Sequence, residues 1–264
     1  MTFVLQEHHC LILQDWIEFL DWPVTALIVH VGQQDQIRAS LGALCACHDI
    51  QLHVLGTTTA AETTTDENPL LAAQFAAVQT DFGCVVRLDN IPFRQPDLNW
   101  QDPAWALMQA QGARFLTGTT LPYRADRPLT DAHFALTQRI SNGFLMIRPA
   151  DWLEFQRGTE GSQDRYGRFS SEGAAEDYVA AMDIWGLRLL NSPDIRIFHC
   201  HEWGPRLPVI RDAFRKGTGI GRFLKGFQDD YFGANARFYM KPRPPLMRRA
   251  RIFLGHWRRR IAGR

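Results

Sequence analysis

Side chains that can bind a metal ion follow strand-like segments in two distant parts of this sequence. Asp89 and Asn90 follow one apolar run, and His199 ends another. A carboxylate and an imidazole can hold a divalent cation, Mg²⁺ or Mn²⁺, which neutralises the phosphates of a bound substrate. Asp89 is therefore the predicted metal ligand, and His199 could add a second. Asp89 could instead cap a turn before Pro92, and His199 could be a half-buried strand residue.

Glu176 and Asp177 form an acidic pair after a polar, glycine-rich stretch, residues 157–175. We expect a loop over this stretch and a helix from Glu176 to Trp185. A carboxylate within hydrogen-bond reach of a hydroxyl can accept its proton when that hydroxyl attacks a substrate. The alternative is that both acids occupy a first helical turn because the helix dipole favours negative charge there.

A third feature is the glycine-rich segment Lys216–Arg222. Its backbone N–H groups could surround a phosphate, with Arg222 adding positive charge. The segment lacks the P-loop pattern, and no predicted strand precedes it. A simple interruption between two helices explains it equally well.

Strand-like and helix-like segments alternate along the chain, which indicates an α/β fold with a mostly parallel central sheet and helices on both faces. Ligands of such sheets bind at the carboxyl ends of the strands. This rule places Gln33, Asp89 and Asn90 near the predicted crevice. The predicted strands are 2–6, 26–31, 50–55, 84–88, 113–117, 141–147, 188–190 and 195–199, and the predicted helices are 10–20, 35–47, 69–79, 102–111 and 176–185.

Five motifs occur in an order that resembles the family 2 glycosyltransferases, which have the GT-A fold. The resemblance covers about residues 2–225. It rests on segment 29–35 with Gly32, on Asp89 at the place of the D-x-D motif, on segment 141–148, on the pair Glu176–Asp177, and on His199. The sequence departs from the family where His30 and Val31 replace two nucleotide-contacting acids, and Asp89 alone remains of the D-x-D acids.

The resemblance implies transfer of a sugar from a nucleotide-sugar donor to an acceptor hydroxyl, with inversion, in surface polysaccharide or glycolipid synthesis. It implies Asp177 as the base, with Glu176 beside it, and Asp89 and His199 as the metal ligands. The implied donor-binding residues are His30, Gly32, Gln33, Asp89, Asn90, Asn142, Gly143 and Arg222.

Two other functions remain as alternatives. The degenerate D-x-D motif is compatible with a binding or scaffold protein that has kept the fold and lost the chemistry. A nicotinamide-dependent enzyme is disfavoured, because no glycine fingerprint follows the first strand.

Charge divides the chain into a body, residues 1–235, and a basic amphipathic tail, residues 236–264. From Tyr231 to Arg264 there are ten Lys or Arg and no acid, which leaves 19 basic and 28 acidic residues in 1–230, a net charge of −9. An acidic body disfavours nucleic acid as a partner. The tail has one apolar stripe with Trp257 among many arginines, which is typical of a helix that lies on an anionic membrane surface. Docking of this helix on its own domain is the alternative.

The N-terminus has no secretory signal pattern, and the five cysteines favour a reducing compartment. We therefore expect a cytoplasmic protein, peripheral at the inner face of the membrane, whose acceptor is a carbohydrate or is lipid-linked.

Removing the chain after Phe238 tests the function of the tail. We expect the full chain to sediment with anionic vesicles and the truncated chain to stay in solution, because most of the clustered positive charge is then gone. Sedimentation of both with neutral vesicles is the control. Truncated protein that still sediments with anionic vesicles contradicts the hypothesis.

Overall fold

The computed structural model describes residues 7–30, 35–55, 68–118, 126–158, 171–200 and 202–229. The described helices and strands alternate from residue 7 to residue 86, and beyond that point strands also follow strands and helices follow helices. The helices are α1 (Glu7–Leu20), α2 (Asp35–Cys47), α3 (Asn68–Ala76), α4 (Gln101–Gln111), α5 (Pro149–Gly158), α6 (Ser171–Ala181), α7 (Leu207–Arg215) and α8 (Ile220–Asp229). The strands are β1 (Ala26–His30), β2 (Gln51–Leu55), β3 (Gly83–Val86), β4 (Asn90–Arg94), β5 (Phe115–Thr117), β6 (Arg127–Pro128), β7 (Phe134–Thr137), β8 (Phe144–Ile147), β9 (Gly186–Leu189) and β10 (Ile195–His199).

Six strands form the main sheet in the order β3-β8-β5-β9-β7-β6. Only the pairing of β5 with β9 is parallel, and the other four pairings are antiparallel. The prediction of a mostly parallel sheet is therefore wrong. The prediction assumed that every pair of neighbouring strands is joined by a helix, whereas β7 returns directly beside β6.

Two smaller pairings complete the described strands. The parallel pair β1–β2 packs with α1 and α2 around Leu13, Ile37 and Leu41. The antiparallel pair β4–β10 forms a two-stranded ribbon against α1, α7 and α8.

Helices cover both faces of the main sheet, because successive strand residues alternate between two apolar clusters. Phe115 and Leu145 point towards α3, α5 and α6, whereas Leu116 and Met146 point towards α1, α4 and α7. No helix in the described ranges is long and apolar enough to cross a membrane. The basic tail, residues 236–264, lies outside those ranges.

The helix that includes Glu176 begins earlier than the sequence suggests. It starts at Ser171 and ends at Ala181, and Asp183 with φ of +52° follows it. Gly186, expected to end this helix, begins β9 instead. A Cβ atom at Gly186 would lie 2.3 Å from the ring of Phe115, so packing of the sheet requires glycine there.

A buried ion pair joins the first helix to the seventh. Asp15 of α1 is fully buried and accepts a hydrogen bond of 2.5 Å from Arg211 Nε, and Arg215 also contacts its carboxylate. The charge of Asp15 is compensated there by two guanidinium groups of α7. An interaction of this kind fixes the position of α1.

Replacing Asp15 by alanine should lower the free energy of unfolding by about 3 kcal/mol, because two partly buried arginines lose their carboxylate partner. Urea denaturation measures this change. Asp212→Ala is the matched control, since Asp212 is exposed and its ion pair with Arg211 is long at 3.4 Å. We expect a change of less than about 0.5 kcal/mol for the control. A similar loss in both variants would contradict the role of Asp15.

Candidate functional site

Asp89 lies in a tight turn that ends β3. The N–H of Asn90 donates to the carbonyl oxygen of Arg87 at 3.0 Å and closes this turn. Asn90 then begins β4, where it pairs with His199, the last residue of β10. The strand register therefore brings Asp89 beside a histidine that is 110 residues away in the chain.

The side chains of Asp89 and His199 are in direct contact. His199 Nε2 lies 3.0 Å from Asp89 Oδ2, and each side chain is about four-fifths buried. Since an ionised carboxylate only accepts hydrogen bonds, Nε2 carries the proton in this contact. The other oxygen, Oδ1, accepts a hydrogen bond of 3.1 Å from Asn90 Nδ2.

Neighbouring backbone and side-chain groups fix this pair. The Cys200 N–H donates to the carbonyl oxygen of Asp89 at 2.9 Å, and Trp16 Nε1 donates to that of Asn90 at 3.1 Å. Asn90 is fully buried, and its Oδ1 has no hydrogen-bond partner among the described residues. An unpaired buried oxygen costs about 1–3 kcal/mol unless a water or a cation binds it.

The geometry of Asp89 and His199 fits a shared cation. Two ligand atoms at right angles, each about 2.1 Å from an octahedral cation, are about 3.0 Å apart. To bind a cation, the imidazole would move its proton from Nε2 to Nδ1. No group of three or more His, Cys, Asp or Glu side chains in the described ranges could hold a metal. Any further ligands would then come from substrate phosphates and water, as in many Mg²⁺ sites.

The nearby thiol of Cys200 is buried and lies against the Asp89 turn. Burial raises its pKa to about 12, so the group is a neutral thiol near neutral pH. Its Sγ lies 3.0 Å from the carbonyl oxygen of Asp89, to which the thiol donates a hydrogen bond. His201, a further possible ligand, lies outside the described residues.

The segment with Asn142 and Gly143 lies next to the Asp89 turn. The N–H of Arg87 donates to the carbonyl oxygen of Gly143 at 3.3 Å, and both Asn142 and Gly143 are buried. Thr117, at the end of β5, stabilises the same segment: its hydroxyl donates to Phe144 O and accepts from Ser141 N, each at 3.1 Å. The predicted residues Asp89, Asn90, His199, Asn142 and Gly143 therefore lie at one end of the sheet.

The two acids of α6 differ in their surroundings. Glu176 is buried, accepts a hydrogen bond of 3.1 Å from the Ile140 N–H, and forms an ion pair with Arg139, whose Nε lies 2.8 Å from Glu176 Oε1. It thus holds the residues directly before Ser141. Asp177 is exposed. Both acids lie in the middle of α6, so the first-turn dipole explanation does not apply to them.

Asp126 and Arg188 form a buried ion pair that the sequence did not reveal. Arg188 Nη2 lies 2.9 Å from Asp126 Oδ2, and Thr137 Oγ1 donates to Asp126 Oδ1 at 2.7 Å. Arg188 pairs with Thr117 in the sheet, so the ion pair lies at the same end as the site. Burial lowers the pKa of Arg188, and the charge of Asp126 opposes that shift. The available signal was an arginine within the otherwise apolar strand GLRL.

The remaining predicted donor-binding residues belong to other elements or lie outside the described ranges. His30 is the last residue of β1, and Gly32 and Gln33 are outside those ranges. Arg222 is exposed near the start of α8.

The glycine-rich segment before Arg222 connects α7 to α8, which matches the simple-interruption alternative. Gly217 and Gly219 there have φ of +72° and +71°. This connection lies against Arg196, which is three residues, about 10 Å, before His199 along β10.

Comparison with known proteins supports the fold. No family model matches the chain, and no curated protein matches its sequence. The crystal structure of UDP-glucose pyrophosphorylase complexed with UDP-glucose superposes with a TM-score of 0.52 and 7% identity, covering 80% of this chain and 86% of that one. Apo UDP-glucose pyrophosphorylase gives a TM-score of 0.45 and 7% identity, covering 73% and 80%. The first superposition shows a shared mixed α/β fold, which agrees at a coarse level with the GT-A architecture.

Gly118 tests the close packing at this end of the sheet. A Cβ atom there would lie 2.8 Å from Ile197 Cδ1 and 3.0 Å from Phe144 Cδ1, and both of these side chains are fully buried. We expect Gly118→Ala to lower the free energy of unfolding by about 1–3 kcal/mol, because these side chains must move.

Gly42→Ala is the matched control. Gly42 is in α2, and among the described residues a Cβ atom added there would meet nothing within 4 Å beyond its own stretch of helix. Alanine there should raise the free energy of unfolding by about 0.5–1 kcal/mol. A stabilising effect at Gly118 in urea denaturation would contradict the packing described.

Proposed function

We propose that the protein transfers a sugar from a nucleotide-sugar donor to an acceptor hydroxyl. The observation that supports this best is the contact of Asp89 with His199 at the strand ends of a fold shared with UDP-glucose pyrophosphorylase. The comparison protein binds UDP-glucose, and a nucleotide-sugar is the ligand class we assign to this chain. Glycosyl transfer, rather than another reaction of such a donor, rests on the motif order in the sequence.

Asp89 and His199 would hold Mg²⁺ or Mn²⁺, which when bound offsets the negative charge that develops on the diphosphate leaving group. The other described residues position the donor. Asn142 and Gly143 are fixed against the Asp89 turn, and Glu176 holds the preceding residues through Ile140 and Arg139. Loss of the Glu176 carboxylate would release this segment.

Asp177 is the proposed base. Its carboxylate is exposed, so an acceptor hydroxyl can reach it, whereas Glu176 is buried, pairs with Arg139 and accepts a hydrogen bond from Ile140. Accepting a proton requires a carboxylate free to contact the incoming hydroxyl. We assign proton transfer to Asp177 and positioning to Glu176. The acceptor class is a carbohydrate or a lipid-linked saccharide, and the tail would hold the enzyme at an anionic membrane.

A second function, binding of a nucleotide-sugar without turnover, is favoured by one observation. Both oxygens of Asp89 accept hydrogen bonds, from His199 and Asn90, so the carboxylate is satisfied without a cation. A scaffold protein of this fold would show this arrangement. It predicts no turnover with any donor.

Melting temperatures with UDP, GDP, CDP and dTDP, each with Mn²⁺ or EDTA, test donor and metal binding. We expect one nucleotide to raise the melting temperature by several degrees with Mn²⁺ only, because binding to the folded state alone stabilises it. Asp89→Ala and His199→Ala should abolish the rise. Asp81→Ala, at the exposed opposite end of β3, is the control and should keep it. A rise that survives EDTA removes Asp89 as a metal ligand.

Turnover distinguishes the reactions. The rate of donor consumption with candidate acceptors should fall about 100-fold or more in Asp177→Asn. The nucleotide-induced rise in melting temperature should be unchanged in this variant. Asp183→Asn, exposed just after α6, should keep full turnover. Formation of UTP from UDP-glucose and pyrophosphate without an acceptor would instead indicate nucleotidyl transfer. No turnover and no rise with any nucleotide would favour the scaffold function.

A further inference from the structure

A cavity lies at the opposite end of the main sheet from Asp89. Its volume is about 280 Å³, and Phe82, Trp105, Gln109, Arg114, Arg148 and Asp151 line it. Phe82 and Arg114 directly precede the first residues of β3 and β5, whereas Asp89 follows the end of β3. The cavity is therefore separate from the site described above.

Two aromatic rings form one wall of this cavity. The rings of Phe82 and Trp105 meet edge to face, with centroids 5.3 Å apart and planes at 81°. Trp105 is 39% exposed although it carries a large apolar surface. Tryptophan and phenylalanine in this arrangement offer a flat apolar face to a ring-shaped ligand. Their packing on each other holds that face in place.

The charged groups on the other side of the cavity differ in whether they form ion pairs within the protein. Arg114 donates to Asp151 Oδ1 at 2.5 Å and to Glu154 Oε2 at 2.6 Å, and the hydrogen bond with Glu154 is the main cause of its raised pKa. These three charges form a fixed group.

Arg148 is exposed, and its guanidinium lies 5.5 Å from the centre of the Phe82 ring. No carboxylate of the described ranges forms an ion pair with it. Arg148 is thus the cation of the cavity that a ligand can neutralise, and a guanidinium binds a carboxylate with two parallel hydrogen bonds.

We propose that this cavity binds one sugar ring of an acidic saccharide, such as a uronic acid unit. The ring would stack on Trp105, its carboxylate would bind Arg148, and its hydroxyls would bond with the Gln109 amide and the Asp151 carboxylate. Ligand pockets for larger molecules start at about 300 Å³, so a cavity of this volume suits a single ring. A small inorganic anion would leave the aromatic wall unused, and a neutral sugar would leave Arg148 uncompensated. The proposal does not depend on the proposed function.

Calorimetric titration of the full chain tests the proposal. The probe is a short oligomer of D-glucuronate, with a cello-oligosaccharide of equal length and inorganic phosphate as comparison ligands. We expect the acidic oligomer to bind at least about tenfold more tightly than the neutral oligomer, because the neutral oligomer has no carboxylate to accept a charged hydrogen bond from Arg148. Phosphate should bind more weakly than the acidic oligomer.

Variants of the lining residues give the second part of the test. Arg148→Met and Trp105→Ala should each weaken binding of the acidic oligomer about tenfold or more, while Trp105→Phe keeps most of it. Arg157→Met is the matched control. Arg157 is an exposed arginine in α5, the helix that begins directly after Arg148, and it does not line the cavity. Asp89→Ala should also leave this binding unchanged. Melting temperatures confirm that each variant is folded.

Several outcomes would overturn the proposal. Equal binding of phosphate would show a site for simple anions, and equal binding of the neutral oligomer would show that Arg148 has no role. Lack of binding, or binding unchanged in Arg148→Met and Trp105→Ala, would show that the cavity is not the saccharide site.

Discussion

The antiparallel pairing of Asn90 with His199 is the interaction on which the candidate site depends. It joins a turn after β3 to the end of β10, and no local sequence signal links the two. Further along the ribbon, the Arg196 guanidinium lies 3.7 Å from the ring centre of Phe93 and donates to the carbonyl oxygen of Phe214 at 2.8 Å. A buried guanidinium thus ties both strands of the ribbon to α7. If the register slipped by one residue, His199 would turn to the other face and away from Asp89.

Holding polar groups in this region costs stability, and the surrounding packing offsets that cost. Asn90 is fully buried with one unpaired oxygen, whereas the aromatic rings of Trp16, Phe19 and Phe144 pack closely together nearby. Each buried aromatic ring contributes at least as much as one unsatisfied oxygen costs. Natural proteins keep such polar groups where function requires them. The site therefore lies on a rigid apolar base that keeps Asp89 and His199 in contact.

Periodicity was enough to predict the longer elements. Helix α2 and strand β10 have the bounds expected from the sequence, because their apolar spacing is regular and polar residues flank them. The strands β4, β6 and β7 were not predicted, since β4 and β6 contain proline and β7 shows no alternation of apolar and polar residues. The antiparallel pairing of β6 and β7 in the main sheet contributed to the wrong sheet direction. The family resemblance grouped Asp89 with Asn142, and the hydrogen bond of Arg87 with Gly143 places both residues at the same end of the main sheet. The ion pair of Asp126 with Arg188 joins residues from distant segments, which no local pattern could show.

The fold and the proposed chemistry of this protein depend on different sets of residues. The superposition with UDP-glucose pyrophosphorylase shows a shared fold at only 7% sequence identity. A fold tolerates most core substitutions that keep the side-chain volume and the pattern of apolar and polar residues. The proposed reaction depends instead on side chains in turns, at strand ends and on exposed helix faces, such as Asp89 and Asp177, which can change without altering the core. The fold therefore indicates where a ligand would bind, and in the proposed function the charged groups at one end of the sheet would determine the reaction.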